Sequence, residues 1–128
     1  MKRAEGWEIN DNDQKFIDIL TQLGYSRSMA KVIVFFLFFK HGLSADIERT
    51  MNMRQPEVSV AVNKLIGKNC IDCSQEKSEG KGRPKLSYTL KKKPEDLLSD
   101  IEEQIKTNIT KQNELLDELK QCFSNIKE

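Results

Sequence analysis

Mainly α with a small β-hairpin is the fold class this sequence predicts: a helix-turn-helix, a hairpin behind it, then one long helix. Three observations carry the expectation. A short helical segment, a tight turn and a second helical segment with a single inward stripe succeed one another between Ala45 and Lys68. Two β-compatible stretches, 70–77 and 85–90, flank the basic turn Gly80-Lys81-Gly82-Arg83-Pro84. From Leu98 onward, apolar residues then step by three and four almost to the C-terminus.

The elements follow in order. Residues 1–10 lack periodicity and are expected to fray or pack loosely, with Trp7 and Ile9 as candidate anchors. Phe16, Ile17, Ile19, Leu20 and Leu23 recur at helical spacing, so a helix is expected over 13–23, with Gly24 as its stop. Ser26 or Ser28 offers a cap for a second helix running to about Lys40, which His41-Gly42 ends. This helix is apolar nearly all round from Val32 to Phe39, which predicts cover on both sides, one from the core and the other from a subunit interface. Ser44 is the expected cap of a third helix, Ala45 to Thr50, with Ile47 and Met51 inward. Pro56 suits a first helical turn, and Glu57 suits its positive end. Val58, Val62 and Leu65 form the buried stripe of the fourth helix, which ends near Lys68 with Asn69 left-handed. In the hairpin, Leu86, Tyr88 and Leu90 alternate, and Pro84 sits where ladder bonding is not required. Helix-turn-helix plus hairpin is a winged helix. Pro94 then opens the last helix. Three segments result: an N-terminal extension, 1–12; a winged helix-turn-helix DNA-binding domain, 13–93; and a coiled-coil-like dimerisation helix, 94–128.

The 128 residues allow one compact domain plus an extended element. With 38% apolar and 32% charged residues the composition is that of a soluble globular chain, and the longest apolar run, 32–39, is too short to span a membrane. No export signal is evident, so the expected location is the cytoplasm, with no membrane partner. Three cysteines argue against a disulfide framework. Cys70 and Cys73 have C-x-x-C spacing but lack further ligands, and the only histidine is His41. Plain buried or half-buried thiols are expected, a redox or metal sensor being the alternative. No metal and no cofactor are anticipated. Nor is an enzyme, since the chain carries no phosphate-binding glycine loop and no nucleophile with a neighbouring base.

Charge is segregated. Residues 1–53 carry seven basic and seven acidic groups, 54–93 ten basic and four acidic, and 94–128 four basic and nine acidic. All the excess positive charge lies in the helix-turn-helix and hairpin, where a phosphate backbone would be attracted. With the stripe inward, the fourth helix presents Gln55, Ser59, Val60, Asn63 and Lys64. Gln55 and Asn63 suit bidentate pairing with adenine, Val60 can meet a thymine methyl, and Ser59 can reach base or phosphate. Arg54, Lys64 and Lys68 would hold phosphates without reading sequence. On the hairpin, Lys81, Arg83 and Lys85 form a cationic tip, Arg83 suiting a narrow minor groove.

The runs Asp46-Ile47-Glu48, Arg54-Gln55-Pro56-Glu57-Val58-Ser59 and Gly80-Lys81-Gly82-Arg83-Pro84, with Tyr88-Thr89-Leu90, resemble archaeal predicted winged-helix transcriptional regulators. These are similar to the MarR, TrmB and ArsR groups. The resemblance covers about residues 13–90. It implies a homodimer on a pseudo-palindromic operator, with Gln55, Ser59 and Asn63 at recognition positions. Asn69 departs from the usual glycine, and Val60 from a common basic or polar residue.

The C-terminal stepped positions are Leu98, Ile101, Ile105, Asn108, Gln112, Leu115, Leu119, Cys122 and Ile126, broadened by Ile109, Leu116 and Phe123. A helix of that length cannot bury its stripe on so small a domain, so a second copy is expected at Leu98, Ile101, Ile105, Leu115, Leu119 and Phe123. The expected function is sequence-specific double-stranded DNA binding by a homodimeric transcriptional regulator. The alternative is a winged-helix protein-interaction module within transcription machinery, docking through the acidic last helix.

Overall fold

The computed structural model describes residues 8–76 and 85–127. The chain divides into two compact units, Met1–Lys93 and Pro94–Glu128.

In the first unit, α1 spans Asp11–Gln22 and α2 spans Arg27–Phe39. The first helix begins two residues before the expected start at 13, because that start is set by a polar cap. Asp13 N–H donates to Asn10 Oδ1 at 2.8 Å and Asn10 N–H donates to Asp13 Oδ2 at 3.1 Å, the reciprocal bonds of a capping box. Ser26 caps α2, accepting from Met29 N–H, and Lys40 in the left-handed region ends it. Val32 to Phe36 are all buried within the single chain, and 37–39 are half-buried. The apolar girth of α2 is therefore covered by this chain itself along 32–36, where a subunit interface was expected on one side.

Three residues beyond α2 pair as β1, His41–Leu43. With β2, Ile71–Glu76, and β3, Lys85–Leu90, they make an antiparallel sheet in the order β1-β3-β2. The expected hairpin is thus two-thirds of a three-stranded sheet. Gly42 lets β1 approach α2: a Cβ there would lie 2.6 Å from Phe35 Cζ. Phe35 is buried, its ring edge-on to Phe36 at 5.3 Å.

The helix-turn-helix comprises α3, Ser44–Met51, and α4, Gln55–Gly67. Leu43, not Ser44, stands at the N-cap of α3, its N–H donating to Asp46 Oδ2 at 2.9 Å. Ser44 is one residue inside the helix, where its hydroxyl bonds Glu48 one turn on. In the second unit, α5 runs Pro94–Lys127, about 50 Å at the usual rise. Leu97 and Ile101 are buried, Ile105 is half-buried, and every described residue beyond it is exposed. No helix among the described residues is long and apolar enough to cross a membrane.

Candidate nucleic-acid interface

The turn between α3 and α4 is fixed by backbone bonding. Asn52 takes the left-handed conformation, φ 53°, which asparagine tolerates better than most residues. Met53 N–H returns to the Glu48 carbonyl at 2.9 Å, and Met51 and Met53 are both buried. Arg54 N–H then donates to Glu57 Oε1 at 3.0 Å, and the Ser28 hydroxyl donates to the other Glu57 oxygen at 3.3 Å. Glu57 thereby ties the start of α4 to the start of α2. These bonds, the Arg54 N–H foremost, hold its carboxyl below the ordinary value of 4.5.

Within α4, Val58, Ala61, Val62 and Leu65 are buried. At about 100° per residue, Val60 and Asn63 point directly away from that stripe, Val60 being 57% exposed. Gln55 and Ser59 lie on one flank. Lys64 lies on the other, with Lys68 just beyond the helix end. All are exposed except Ser59, which is intermediate. Past the helix, Asn69 adopts φ 63°, with its N–H on the Ile66 carbonyl and Cys70 N–H on that of Leu65. The backbone position that glycine usually fills is here filled by asparagine, whose Oδ1 accepts from Lys91 Nζ at 2.6 Å.

The Gln55–Ser59 flank faces β3 across a groove of about 370 Å³, whose walls include Glu48, Gln55, Ser59, Lys85, Leu86 and Tyr88. One side of the groove is the helix expected to read bases. The other is β3. The strand is held in place by Ser74 and Ser87, whose hydroxyls meet at 2.8 Å between β2 and β3, and by His41 Nδ1 against Thr89 Oγ1 at 2.8 Å. Tyr88, opposite Cys73 in the ladder, is buried, and burial pushes its phenol above 10.0.

The structure thus brings Gln55, Ser59, Val60, Asn63 and Lys64 together on one helix, with Arg54 and Lys68 as its caps and Lys85 across the groove from two of them. Lys81 and Arg83 lie outside the described residues. Cys70 is buried and Cys73 is exposed, and neither forms a disulfide. Among the positions expected at a subunit interface, Leu98, Leu115, Leu119 and Phe123 are exposed, Ile105 is half-buried and Ile101 is buried. Three features escaped the sequence reading. Glu57 serves as an anchor, Leu86 lines the groove, and Leu97 is buried. Only the last had a signal, its spacing of four from Ile101.

No protein-family model matches the chain, and no curated protein matches it. Solved structures do. The chain is similar to a possible transcriptional regulator from Methanosarcina mazei Go1, at 21% identity and TM-score 0.57, over 80% of this chain and 83% of that one. It is similar to a transcriptional regulator homologue from Pyrococcus horikoshii OT3, at 10% identity and TM-score 0.52, over 77% of this chain and 95% of that one. It is also similar to the YusO protein from Bacillus subtilis, at 13% identity and TM-score 0.50, over 78% and 70% of the two chains. At these identities the likeness is one of fold: a winged helix-turn-helix with a long C-terminal helix.

Proposed function

We propose that this chain is a homodimeric transcriptional regulator that binds double-stranded DNA sequence-specifically. In this reading α4 enters the major groove and the basic wing lies on the adjacent minor groove or backbone. The observation that carries it is the outward face of α4. Val60 and Asn63 stand at its apex, with no charge between them, and cations stand to one side at Lys64 and Lys68. A helix face of that kind can place an amide and a methyl group on base edges while lysines hold phosphates. Arg54, Gln55 and Ser59 at its start, and Lys85 on β3, extend the same surface. The charge segregation of the sequence supports the reading, since ten basic groups against four acidic fall within 54–93. The fold shared with two chains named as transcriptional regulators or their homologues supports it as well. The dimer is supported by α5, whose apolar stripe stays exposed along most of its length.

Titration against random duplex DNA at several salt concentrations tests the reading. Affinity is expected to fall linearly on a double-logarithmic scale, with a slope of about −0.9 per phosphate neutralised. Lys64→Ala should reduce that slope by about one and weaken all sequences alike. A chain that binds no duplex at any salt would instead be a protein-interaction module.

A further inference from the structure

The apolar stripe of α5 has a symmetry that bears on how two copies meet. Leu98, Ile105, Gln112, Leu119 and Ile126 are spaced by seven, as are Ile101, Asn108, Leu115 and Cys122, the two rows alternating by three and four. These are the a and d positions of a heptad repeat. In an antiparallel pair each a layer faces a d layer of the partner. The pairing centred on residue 110 sets Asn108 against the partner's Gln112, Ile105 against the partner's Leu115, and Leu98 against the partner's Cys122. Each polar layer then meets a polar layer, and each apolar one an apolar or thiol neighbour. A shift of one heptad in either direction puts Asn108 against the partner's Leu119 or the partner's Ile105, and Gln112 against the partner's Leu115 or the partner's Ile101. Either shift buries a carboxamide against a hydrocarbon wall, which is costly.

A parallel pair would also match like with like, so charge decides between the two. Residues 94–110 carry five acidic groups and one basic, and 111–128 carry four acidic and three basic. Parallel alignment lays the strongly acidic half along its own copy. Antiparallel alignment lays it along the nearly balanced half and also opposes the helix dipoles. Accessibility agrees. Leu98 is 58% exposed, and Ile109, Leu115 and Leu119 are open over half or more of their surface, whereas Ile101 is already covered within the chain and adds little to the pair. The Asn108 amide oxygen accepts from Gln104 Nε2 at 3.2 Å, and that bond does not use its NH₂ group. Lys111 flanks the centre beside its own copy, exposed and long enough to splay into solvent.

We infer that the partner of α5 is a second copy of this chain, paired antiparallel about residue 110 with Asn108 and Gln112 bonded across the axis. The inference rests on the homodimer proposed above and fixes its register. Two Cys122 thiols then stand about 36 Å apart along the axis, whereas a parallel pair would bring them together. Oxidation with copper phenanthroline reads the difference in the full chain carrying Cys73→Ser, which removes the other exposed thiol. That protein should sediment as a dimer and give no covalent dimer. Adding Leu98→Cys, at an exposed site, should convert most of it to a covalent dimer on a non-reducing gel, and further adding Cys122→Ser should abolish the product. Covalent dimers through Cys122 alone overturn the register and leave the homodimer standing, as does a sedimenting dimer that cross-links in neither variant. A monomer at micromolar concentration overturns both.

Discussion

α4 and α5 are both amphipathic, yet they dispose of their apolar faces in opposite ways. In α4, 13 residues long, the whole stripe is buried within the chain, and Val60 is the only large apolar side chain left outside. In α5, 34 residues long, Leu97 and Ile101 alone are buried, and six large apolar residues from Ile109 to Ile126 stay exposed. What differs is the amount of chain within reach to cover them. A helix whose stripe is satisfied presents a polar face that is free to recognise something else. A helix whose stripe is left open presents a surface that lowers its free energy by associating. The reading surface and the pairing surface proposed above are thus distinguished by tertiary cover and not by composition.

The same substitution on the two helices is the sharpest way to break this comparison. Leu65→Ala should lower the free energy of unfolding by about 2–5 kcal/mol, because Leu65 is only 3% exposed. Leu119→Ala, at a residue 64% exposed, should leave the dilute chain unchanged and weaken the rise of stability with protein concentration. Urea unfolding at two concentrations measures both. Equal losses at the lower concentration would show that α5 is no less satisfied than α4.

Asn63→Ala sharpens the assignment of the reading surface. It should cost about 1–3 kcal/mol of discrimination between cognate and altered duplexes, with little change in affinity for random DNA. Competition binding with point-altered sites measures it, and Thr110→Ala on the polar face of α5 should leave discrimination unchanged. Gly42→Ala asks how firmly the unit bearing α4 is packed. The added methyl meets the Phe35 ring at 2.6 and 2.8 Å, which should destabilise the chain by about 1–3 kcal/mol, as read by thermal unfolding.

The smallest effect concerns the anchor of α4. Because Glu57 titrates below its ordinary 4.5, its charge contributes stability at higher pH. That contribution is lost as pH falls through the folded value. The small stability difference between the parent and Glu57→Gln should therefore be constant above about pH 5 and shrink below 4.5. A difference that grew on acidification would remove Glu57 from that role.

Much of this architecture was legible in the residues. Ser26 caps α2 as its hydroxyl predicts, Pro56 sits in the first turn of α4, and Asn69 takes the left-handed turn. The signals that failed were weak or non-local. The strand His41–Leu43 is three residues long, too short for an alternating pattern, and exists because its backbone pairs with Ser87–Thr89 more than forty residues away. Ser44 looked like a cap, but the chain enters α3 one residue earlier, where Asp46 can reach the Leu43 N–H. The candidate site was legible as a set of residues on one helix face. That Gln55 and Ser59 would share a groove with Lys85 and Leu86 was not, since sequence spacing says nothing of what stands across a gap.

The existence and order of the helices, their faces and the segregation of charge follow from the sequence by itself, because they depend on neighbours within about one turn or on counting alone. Which faces are covered was decided only by tertiary structure. The all-apolar α2 is closed over within this chain along Val32–Phe36, and the half-apolar α5 is left open beyond Ile105. Burial is a sum over distant segments brought together by folding, and no local pattern contains it.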